Sequence, residues 1–246
     1  TGYRSLSSKN RATPVAADVV RPQRFFESLI YTGNGSNGNK ITGLEFKPDL
    51  VWIKCRSETQ NHDWYDSVRG GNKRLIPNDS SSESSYSNLI QSFNEDGVTL
   101  GTAQEMNKNS ATYVAWCWKA GGAAVSNSDG SITSSVSANT QAGFSIVSYA
   151  GNGTDGATVG HGLGATPQWV MIKDRTTSAR DWIIHHPSLD SGKTIFLNSN
   201  GTQLTNGGGT ATNFNNSTIR LDSGSGGLIG INHNGDDYAA YCWVEI

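Results

Sequence analysis

The sequence contains one nine-residue pattern twice, roughly half a chain length apart. Residues 48–56 read PDLVWIKCR and residues 167–175 read PQWVMIKDR, with Pro, Val, Ile, Lys and Arg at the same positions. Three more pairs follow this order: YTGNG (31–35) with YAGNG (149–153), DW (63–64) with DW (181–182), and YVAWCWKA (113–120) with YAAYCWVE (238–245). Such a repeat constrains the fold more than any other feature, because it means that one structural unit occurs twice.

The repeat predicts the domain organisation. It places one unit at residues 25–120 and a second at 143–246, and each is about one domain long. Units of this length exceed solenoid repeats, so we expect two similar domains packed together rather than a stacked array. A Ser- and Gly-rich connector, residues 121–142, lies between them, and its alternating SITSSVS stretch predicts a strand.

The first 24 residues differ from both units. This N-terminal arm, residues 1–24, contains five Arg or Lys residues, two prolines and no strong periodicity. We therefore predict an extended arm without a core of its own, which gains order against another subunit or an adjoining component. The first residue is Thr rather than Met, and we expect the chain to be part of a longer product.

Apolar residues in the repeated stretches alternate with the period of a β-strand. In VWIKCR, Val51, Ile53 and Cys55 point to one face, and the first half of the stretch is apolar on both faces. This pattern predicts a central strand whose Lys and Arg end emerges toward solvent. The 29 glycines and 6 prolines suit short strands joined by tight turns such as GNG. The predicted fold class is all-β: two similar antiparallel β-sandwich units in tandem, jelly-roll-like, with at most one short helix.

One segment has helical spacing. Tyr86, Leu89, Ile90 and Phe93 fall at i, i+3, i+4 and i+7 after a Ser-rich start that favours a helix cap. The matching stretch of the second unit, residues 203–214, contains three consecutive glycines and predicts a loop. The one short helix is therefore expected in the first unit.

Composition excludes several functional classes. The formal net charge is −2 and the basic residues are scattered, so no nucleic-acid partner is predicted. The sequence has neither an apolar run of ~18 residues nor a signal peptide, so no membrane insertion is predicted. Cys55, Cys117 and Cys242 lack metal-binding spacing and are expected to be buried free thiols.

No stretch carries an enzyme motif. GHGLG at 160–164 is followed by a strand-like stretch rather than a helix, so it predicts a turn. His185 and His186 are adjacent, and in a strand they point to opposite faces. NSDGS at 127–131 and NGDD at 234–237 lack the full ligand set of a calcium loop. We therefore predict no catalytic residue, no metal site and no cofactor.

Two carboxylates recur in the repeat. Asp63 and Asp181 each precede a Trp, and a glycan-cleaving enzyme needs two carboxylates at a set distance. A scaffold role is the favoured interpretation, with each Asp bonding a backbone turn and each Trp packing in the core.

Three loops differ between the units and are freer to specialise. They are residues 57–62, 102–110 and 205–217, rich in Asn, Gln and Thr that hydrogen-bond well to sugar hydroxyls. Plain solvated loops are the alternative interpretation, and no single binding residue is predicted.

The motif order carries a resemblance. YTGNG…ITGLEFKPDLVWIKCR…DSVRG…DGVTLG…YVAWCWKAGG, followed by SITSSVSANTQAGFSIVSYAGNG…VGHGLGATPQWVMIKDR…DWIIHHPSL…YAAYCWVEI, resembles a duplicated β-domain of tail-fibre-like virion structural proteins of marine bacteriophages. The resemblance covers residues 25–246 and brings no catalytic residue or defined binding site. It implies a non-enzymatic structural protein on the surface of the phage particle, in the tail or capsid, assembled in the host cytoplasm.

The resemblance also implies partners. These are other virion proteins, further copies of the chain (a homotrimer by analogy with fibres) and a host-surface glycan or receptor. Three functions stay open, in this order: host-surface adhesion, a passive role as capsid decoration, head fibre or assembly protein, and cleavage of host glycan.

Overall fold

The computed structural model describes residues 21–190, 192–205, 210–212, 214–222 and 230–245. The strands are β1 (Phe26–Thr32), β2 (Asn39–Thr42), β3 (Leu50–Cys55), β4 (His62–Asp66), β5 (Lys73–Arg74), β6 (Ser84–Ser85), β7 (Ile90–Asn94), β8 (Gly97–Leu100), β9 (Thr112–Trp118), β10 (Val125–Asn127), β11 (Ser134–Asn139), β12 (Phe144–Ala150), β13 (Ala157–Gly160), β14 (Trp169–Asp174), β15 (Ile183–His185), β16 (Lys193–Phe196), β17 (Leu204–Thr205), β18 (Thr210–Thr212), β19 (Thr218–Asp222) and β20 (Asp237–Trp243). The helical elements are a 3-10 turn, Pro22–Arg24, and α1, Gln104–Asn107. In the described residues, no helix is long and apolar enough to cross a membrane.

The protein is all-β with antiparallel sheets, as the sequence predicts. In the first repeat, one sheet has the order β1-β9-β3-β4 and a second has the order β2-β8-β7. A core that includes Val51, Ile53, Tyr65 and Val98 lies between these two sheets. The small sheet β5-β6 completes this half.

The second repeat uses the same strand order. Its large sheet contains β12-β20-β14-β15 where the first repeat has β1-β9-β3-β4, and β13-β19-β18 takes the place of β2-β8-β7. Its core includes Val147, Val170, Ile172 and Ile219. The large sheet is longer, because β11 and β10 extend it beyond β12 while β16 and β17 extend it beyond β15. Repeated sequence has thus produced repeated topology.

The connector takes part in the second repeat. Residues 121–142 contain β10 and β11, so the strand predicted from SITSSVS is confirmed. The predicted domain boundaries stay a prediction, and the predicted contacts of the arm concern residues 1–20, which lie outside the described residues.

The duplicated nine-residue pattern forms a central strand in both units. β3 lies between β9 and β4, and β14 lies between β20 and β15, as predicted. The expected solvent exposure of the Lys end is wrong for Lys173, which is fully buried. Its Nζ donates to the backbone oxygen of Arg180 at 2.8 Å, and Lys54 Nζ donates to that of Gln60 at 2.6 Å. Each ammonium thus binds the hairpin loop that follows, which compensates for burial.

The helix predicted around residues 86–93 is absent. Ile90–Asn94 instead forms β7, where Ile90 pairs with Leu100 of β8. The helical element α1 lies further along the chain, at Gln104–Asn107. A helix of two turns is weak in isolation, whereas Ile90 pairs with β8 and both Leu89 and Ile90 are buried in the sheet structure.

A third core joins the two repeats. The large sheets pack face to face, and the side chains between them include Leu50, Trp64, Phe144, Trp182 and Tyr241. The Trp64 and Trp182 rings lie 5.5 Å apart. Each large sheet is therefore covered on both faces, which explains why the central strands read as nearly continuous apolar runs.

Candidate functional site

Tryptophan side chains from both repeats converge at one end of the interface between the large sheets. Trp118 at the end of β9 and Trp243 at the end of β20 are repeat counterparts, and their ring centroids lie 6.4 Å apart. Trp52 of β3 packs on Trp64 of β4 at 5.2 Å, and Trp169 of β14 lies opposite Trp243 in the ladder. The period of two in each strand places these rings on the face that meets the other repeat.

These rings line an open cleft of about 290 Å³. Four of them, Trp52, Trp118, Trp169 and Trp243, are half-buried and therefore keep part of their ring surface in contact with solvent. The full lining consists of Trp52, Trp64, Trp118, Trp169, Met171, Leu197 and Trp243. The cleft thus exists only where the two units meet.

A polar groove of about 470 Å³ adjoins this cleft. Trp169 and Trp243 line both spaces, so the groove and the cleft share these two rings as a common wall. The groove is lined by Gln168, Trp169, His186, Pro187, Ser188, Trp243, Val244 and Glu245. Neither lining, as far as the described residues go, includes Lys or Arg.

His62 connects the predicted binding loop 57–62 with the cleft. Its Nδ1 accepts a hydrogen bond from Trp52 Nε1 at 2.9 Å, which requires an unprotonated Nδ1. Burial and the nearby Lys54 lower the pKa of His62, which favours that neutral form. Loop 57–62 therefore lies at the rim of the cleft.

The other two predicted binding loops differ from this one. In loop 102–110, Met106 and Asn107 are fully buried, so part of it is scaffold. Lys108 Nζ binds the Glu58 carboxylate at 2.6 Å and joins this loop to loop 57–62. Loop 205–217 is not a loop throughout, because Thr210–Thr212 forms β18 and pairs with β19. Residues 206–209 and 213 lie outside the described residues.

A chain of ion pairs holds the repeats together. Arg175 donates from Nε to Glu83 Oε2 at 2.9 Å and from Nη2 to Oε1 at 3.1 Å. Arg69 donates from Nη1 to Glu83 Oε2 at 2.9 Å and from Nε to Asp66 Oδ2 at 2.5 Å. Tyr241 donates its hydroxyl to the same Asp66 oxygen at 2.7 Å. These bonds pair buried charges of both signs and position one sheet against the other.

The recurring Asp residues each bind a side chain of their own repeat, and these partners differ from those predicted. Asp63 accepts from Arg74 Nε at 2.6 Å, and Asp181 accepts from Asn198 Nδ2 at 2.7 Å. Within the described part of the chain, both carboxylates thus bind side-chain donors rather than a backbone turn, and the Arg74 bond is of the stronger, charge-assisted kind. Burial raises the pKa of Asp63 to about 6, although Arg74 opposes the shift. The predicted core packing of Trp64 is confirmed.

The two DW pairs are not equivalent in the ladders. Trp64 lies opposite Trp52, whereas the residue opposite Met171, the counterpart of Trp52, is Ile184. Trp182 therefore sits two residues out of step with Trp64. An offset of two keeps both rings in the interface, because strand side chains alternate.

The adjacent histidines have separate surroundings. The His185 ring packs against Phe214 at 4.4 Å, and burial, helped by His186, lowers the pKa of His185 to about 4. His186 lies 5.9 Å from Trp169, at the polar groove. The described residues contain no group of three side chains able to hold a metal ion.

The three cysteines are free and buried, as predicted. Burial raises the pKa of Cys117 and of Cys242 to about 12. These thiols stay protonated near neutral pH and act as small apolar core residues.

Two buried asparagines were missed by the sequence analysis. Asn107 and Asn232 are both fully buried, and each accepts the backbone N–H of the GNG asparagine, Asn34 at 3.0 Å and Asn152 at 2.9 Å. The sequence did contain an indication of these asparagines. Residues 106–109 read MNKN and residues 231–234 read INHN, so an Asn recurs at the same position shortly before the repeated Tyr113 and Tyr238. The GNG turns were predicted, but their anchors were not.

Residues 21–246 match one protein family, described as "Domain of unknown function (DUF7483)". No curated protein and no solved structure matches the chain.

Proposed function

The chain belongs to the DUF7483 domain family, and we propose that it is a non-enzymatic, tail-fibre-like structural protein of a bacteriophage particle that binds a glycan on the host surface. The tryptophan-lined cleft between the repeats carries this proposal. Glycan rings have an apolar face of C–H groups that packs well on an indole ring. The cleft volume of about 290 Å³ is close to the lower end of ligand pockets, which start near ~300 Å³.

The adjoining groove supplies the polar half of such a site. A sugar stacked on Trp169 or Trp243 would direct hydroxyls toward Gln168, Ser188 and Glu245, which line the same groove. Glu245 accepts hydrogen bonds from hydroxyls and repels anionic groups. We therefore propose a neutral glycan rather than a uronate or sialylated one.

Absence of turnover is part of the proposal. Glycoside hydrolysis uses two carboxylates about 5–10 Å apart, whereas the two linings contain Glu245 as their carboxylate. The buried Asp63, by contrast, is bound to Arg74.

The particle context rests on the resemblance. We propose that each repeat is a jelly-roll-like sandwich, at 25–120 and 143–246, and that the chain assembles as a homotrimer with other virion proteins on the tail or capsid surface. The resemblance supports this location, while the cleft supports adhesion over a passive role.

Binding of labelled oligosaccharides tests the proposal. The probes are neutral hexose and N-acetylhexosamine oligomers and matched uronate oligomers, measured by calorimetry with product analysis for turnover. We expect neutral probes to bind and Trp169→Ala to weaken that binding roughly tenfold or more. Trp116→Ala is the matched control, since Trp116 is also a half-buried tryptophan of a large sheet, in β9, but lies outside both linings.

The outcomes separate the three functions. Binding that Trp169→Ala leaves unchanged, or binding of uronates alone, contradicts the proposed site. No binding of any probe supports the passive structural role, and released product supports the enzyme.

A further inference from the structure

A basic pocket of about 320 Å³ lies where β3 begins and β9 ends in the first repeat. Its lining includes Lys47 and Asp49 before β3, Lys119 after β9 and Asn139 at the end of β11. Among the described residues, this pocket shares no lining residue with the tryptophan cleft or the polar groove. It is therefore a separate space, at the place where the connector leaves the first repeat.

The two lysine ammonium groups of this pocket are not used by the fold. Lys54, Lys108 and Lys173 each bind an oxygen atom through Nζ. By contrast, the Nζ atoms of Lys47 and Lys119 form no hydrogen bond or ion pair with any part of the chain that the structure describes. Lys47 is exposed and Lys119 is half-buried, so both charges are available to a ligand.

The carboxylate in the lining is occupied elsewhere. Asp49 is buried, and its Oδ1 accepts from Ser67 Oγ at 2.8 Å. Its Oδ2 accepts the backbone N–H groups of Ala120 at 2.8 Å and Gly122 at 3.3 Å. Asp49 therefore holds the backbone that follows β9 rather than either lysine. Two positive charges against one negative charge leave the lining with an excess of one positive charge.

The second repeat has an equivalent pocket. The Asp49 N–H donates to the Trp118 oxygen at 2.8 Å, and the Gln168 N–H donates to the Trp243 oxygen at 2.7 Å. The polar groove is lined by Gln168 and Trp243, so it lies at the same end of the second large sheet. The duplication thus produced two pockets at corresponding positions.

The equivalent pocket shows that the fold does not require the lysines. Thr166 stands at the position of Lys47, and Val244 stands at the position of Lys119. Both repeats form the same strand ends with and without the two cations. Two cations on one concave surface repel each other and raise the local potential, and a bound anion relieves that repulsion.

We propose that the pocket of Lys47 and Lys119 binds a tetrahedral oxyanion, a sulfate or phosphate group, either free or as an ester on a larger ligand. A lysine ammonium binds such a group as a point charge with three N–H donors. The Asn139 amide donates one N–H to the Ala120 oxygen at 3.3 Å and retains a second N–H donor. This site does not depend on glycan binding in the tryptophan cleft.

Calorimetry at constant ionic strength tests this site. The probes are inorganic sulfate, inorganic phosphate, a neutral hexose oligomer and the sulfated form of that oligomer. Lys47→Thr and Lys119→Val introduce the residues that the second repeat carries at these positions, so the fold accepts them. Lys40→Thr is the matched control, because Lys40 is an exposed lysine of the same repeat outside the pocket.

We expect the anionic probes to bind wild type and the double variant to weaken this binding roughly tenfold or more. Lys40→Thr should change it by less than about twofold, since an exposed charge outside the pocket is screened by salt. A sulfated oligomer that binds more tightly than both inorganic sulfate and its neutral form means that the pocket takes an ester. Binding no tighter than that of inorganic sulfate means that it takes the free ion.

Three results would overturn the proposal. They are no binding of any anionic probe, equal binding by wild type and the double variant, and an effect of Lys40→Thr as large as that of the double variant. Trp169→Ala separates this site from the cleft, because it should leave binding of inorganic sulfate unchanged. Loss of sulfate binding in Trp169→Ala would place the anion in the cleft and would also refute the inference.

Discussion

Replacement of Asn107 by Ala tests how the repeated GNG turn is held. The Asn107 side chain accepts Asn34 N–H at 3.0 Å and donates to the backbone oxygens of Ser36 at 2.9 Å and Gly101 at 2.7 Å. It also accepts from Asn39 Nδ2 at 2.8 Å. Four hydrogen bonds thus converge on one fully buried amide.

The expected cost follows from the partners left behind. Ala removes all four bonds. The Gly101 oxygen then loses a partner in a buried region, and the Asn34 N–H loses one in a partly buried region. Each buried group left unsatisfied costs about 1–3 kcal/mol. The free energy of unfolding of the first repeat should therefore fall by roughly 3–5 kcal/mol. The cost is not larger because the more exposed partners of Asn107 can form hydrogen bonds to water instead.

Urea unfolding followed by tryptophan fluorescence measures this change. The matched control is Asn109→Ala, because Asn109 is the same residue type two positions away and exposed. We expect the control to change stability by less than about 0.5 kcal/mol, with an unchanged slope against urea in both variants.

The second repeat provides an internal comparison. Asn232 accepts Asn152 N–H and donates to Asn152 Oδ1 and the Thr154 oxygen, one bond fewer than Asn107. Asn232→Ala should therefore cost less, by about 1 kcal/mol. A loss below about 1 kcal/mol for Asn107→Ala, or equal effects of Asn107→Ala and Asn109→Ala, would refute the reasoning.

Two further predictions concern the cores. Ile53→Ala or Ile172→Ala should cost on the order of 2–5 kcal/mol by urea unfolding, because both residues are fully buried in central strands; a change well below 1 kcal/mol would contradict those positions. The pKa of Asp63 is raised to about 6 in the folded chain, so the folded state binds the proton more tightly. The stability contributed by this group is complete below about pH 4 and is lost as pH rises through about 6. Asp63→Asn should remove that pH dependence, and identical pH profiles of variant and wild type would contradict it.

Short-range pattern was sufficient for much of the fold. The period of two in VWIKCR predicts a strand with Val51 and Ile53 on the core face, and both are fully buried. Duplicated motifs predict duplicated units, and the strand orders of the two repeats agree. These features are local, so the sequence contains them directly.

Local pattern failed where two structures satisfied it equally. The spacing of Leu89 and Ile90 fits the apolar face of a helix. It fits the observed structure as well, in which Ile90 begins β7 and Leu89 directly precedes it. Pairing of Ile90 with Leu100 decided for the strand, and this contact depends on residues that the helical pattern does not include. Lys173 was misplaced for a similar reason, since its hydrogen-bond partner Arg180 lies in the next loop.

By itself, the sequence determined the all-β class, the duplication, the central strands and the buried thiols, because alternation, repeats and residue size act within one strand or turn. Only the tertiary structure decided that the large sheets pack on each other and leave an open cleft. Trp118 and Trp243 are 125 positions apart, yet their rings lie 6.4 Å apart. The physical reason is that the face of a sheet buries its apolar side chains against whatever surface meets it, and that surface belongs to the other repeat.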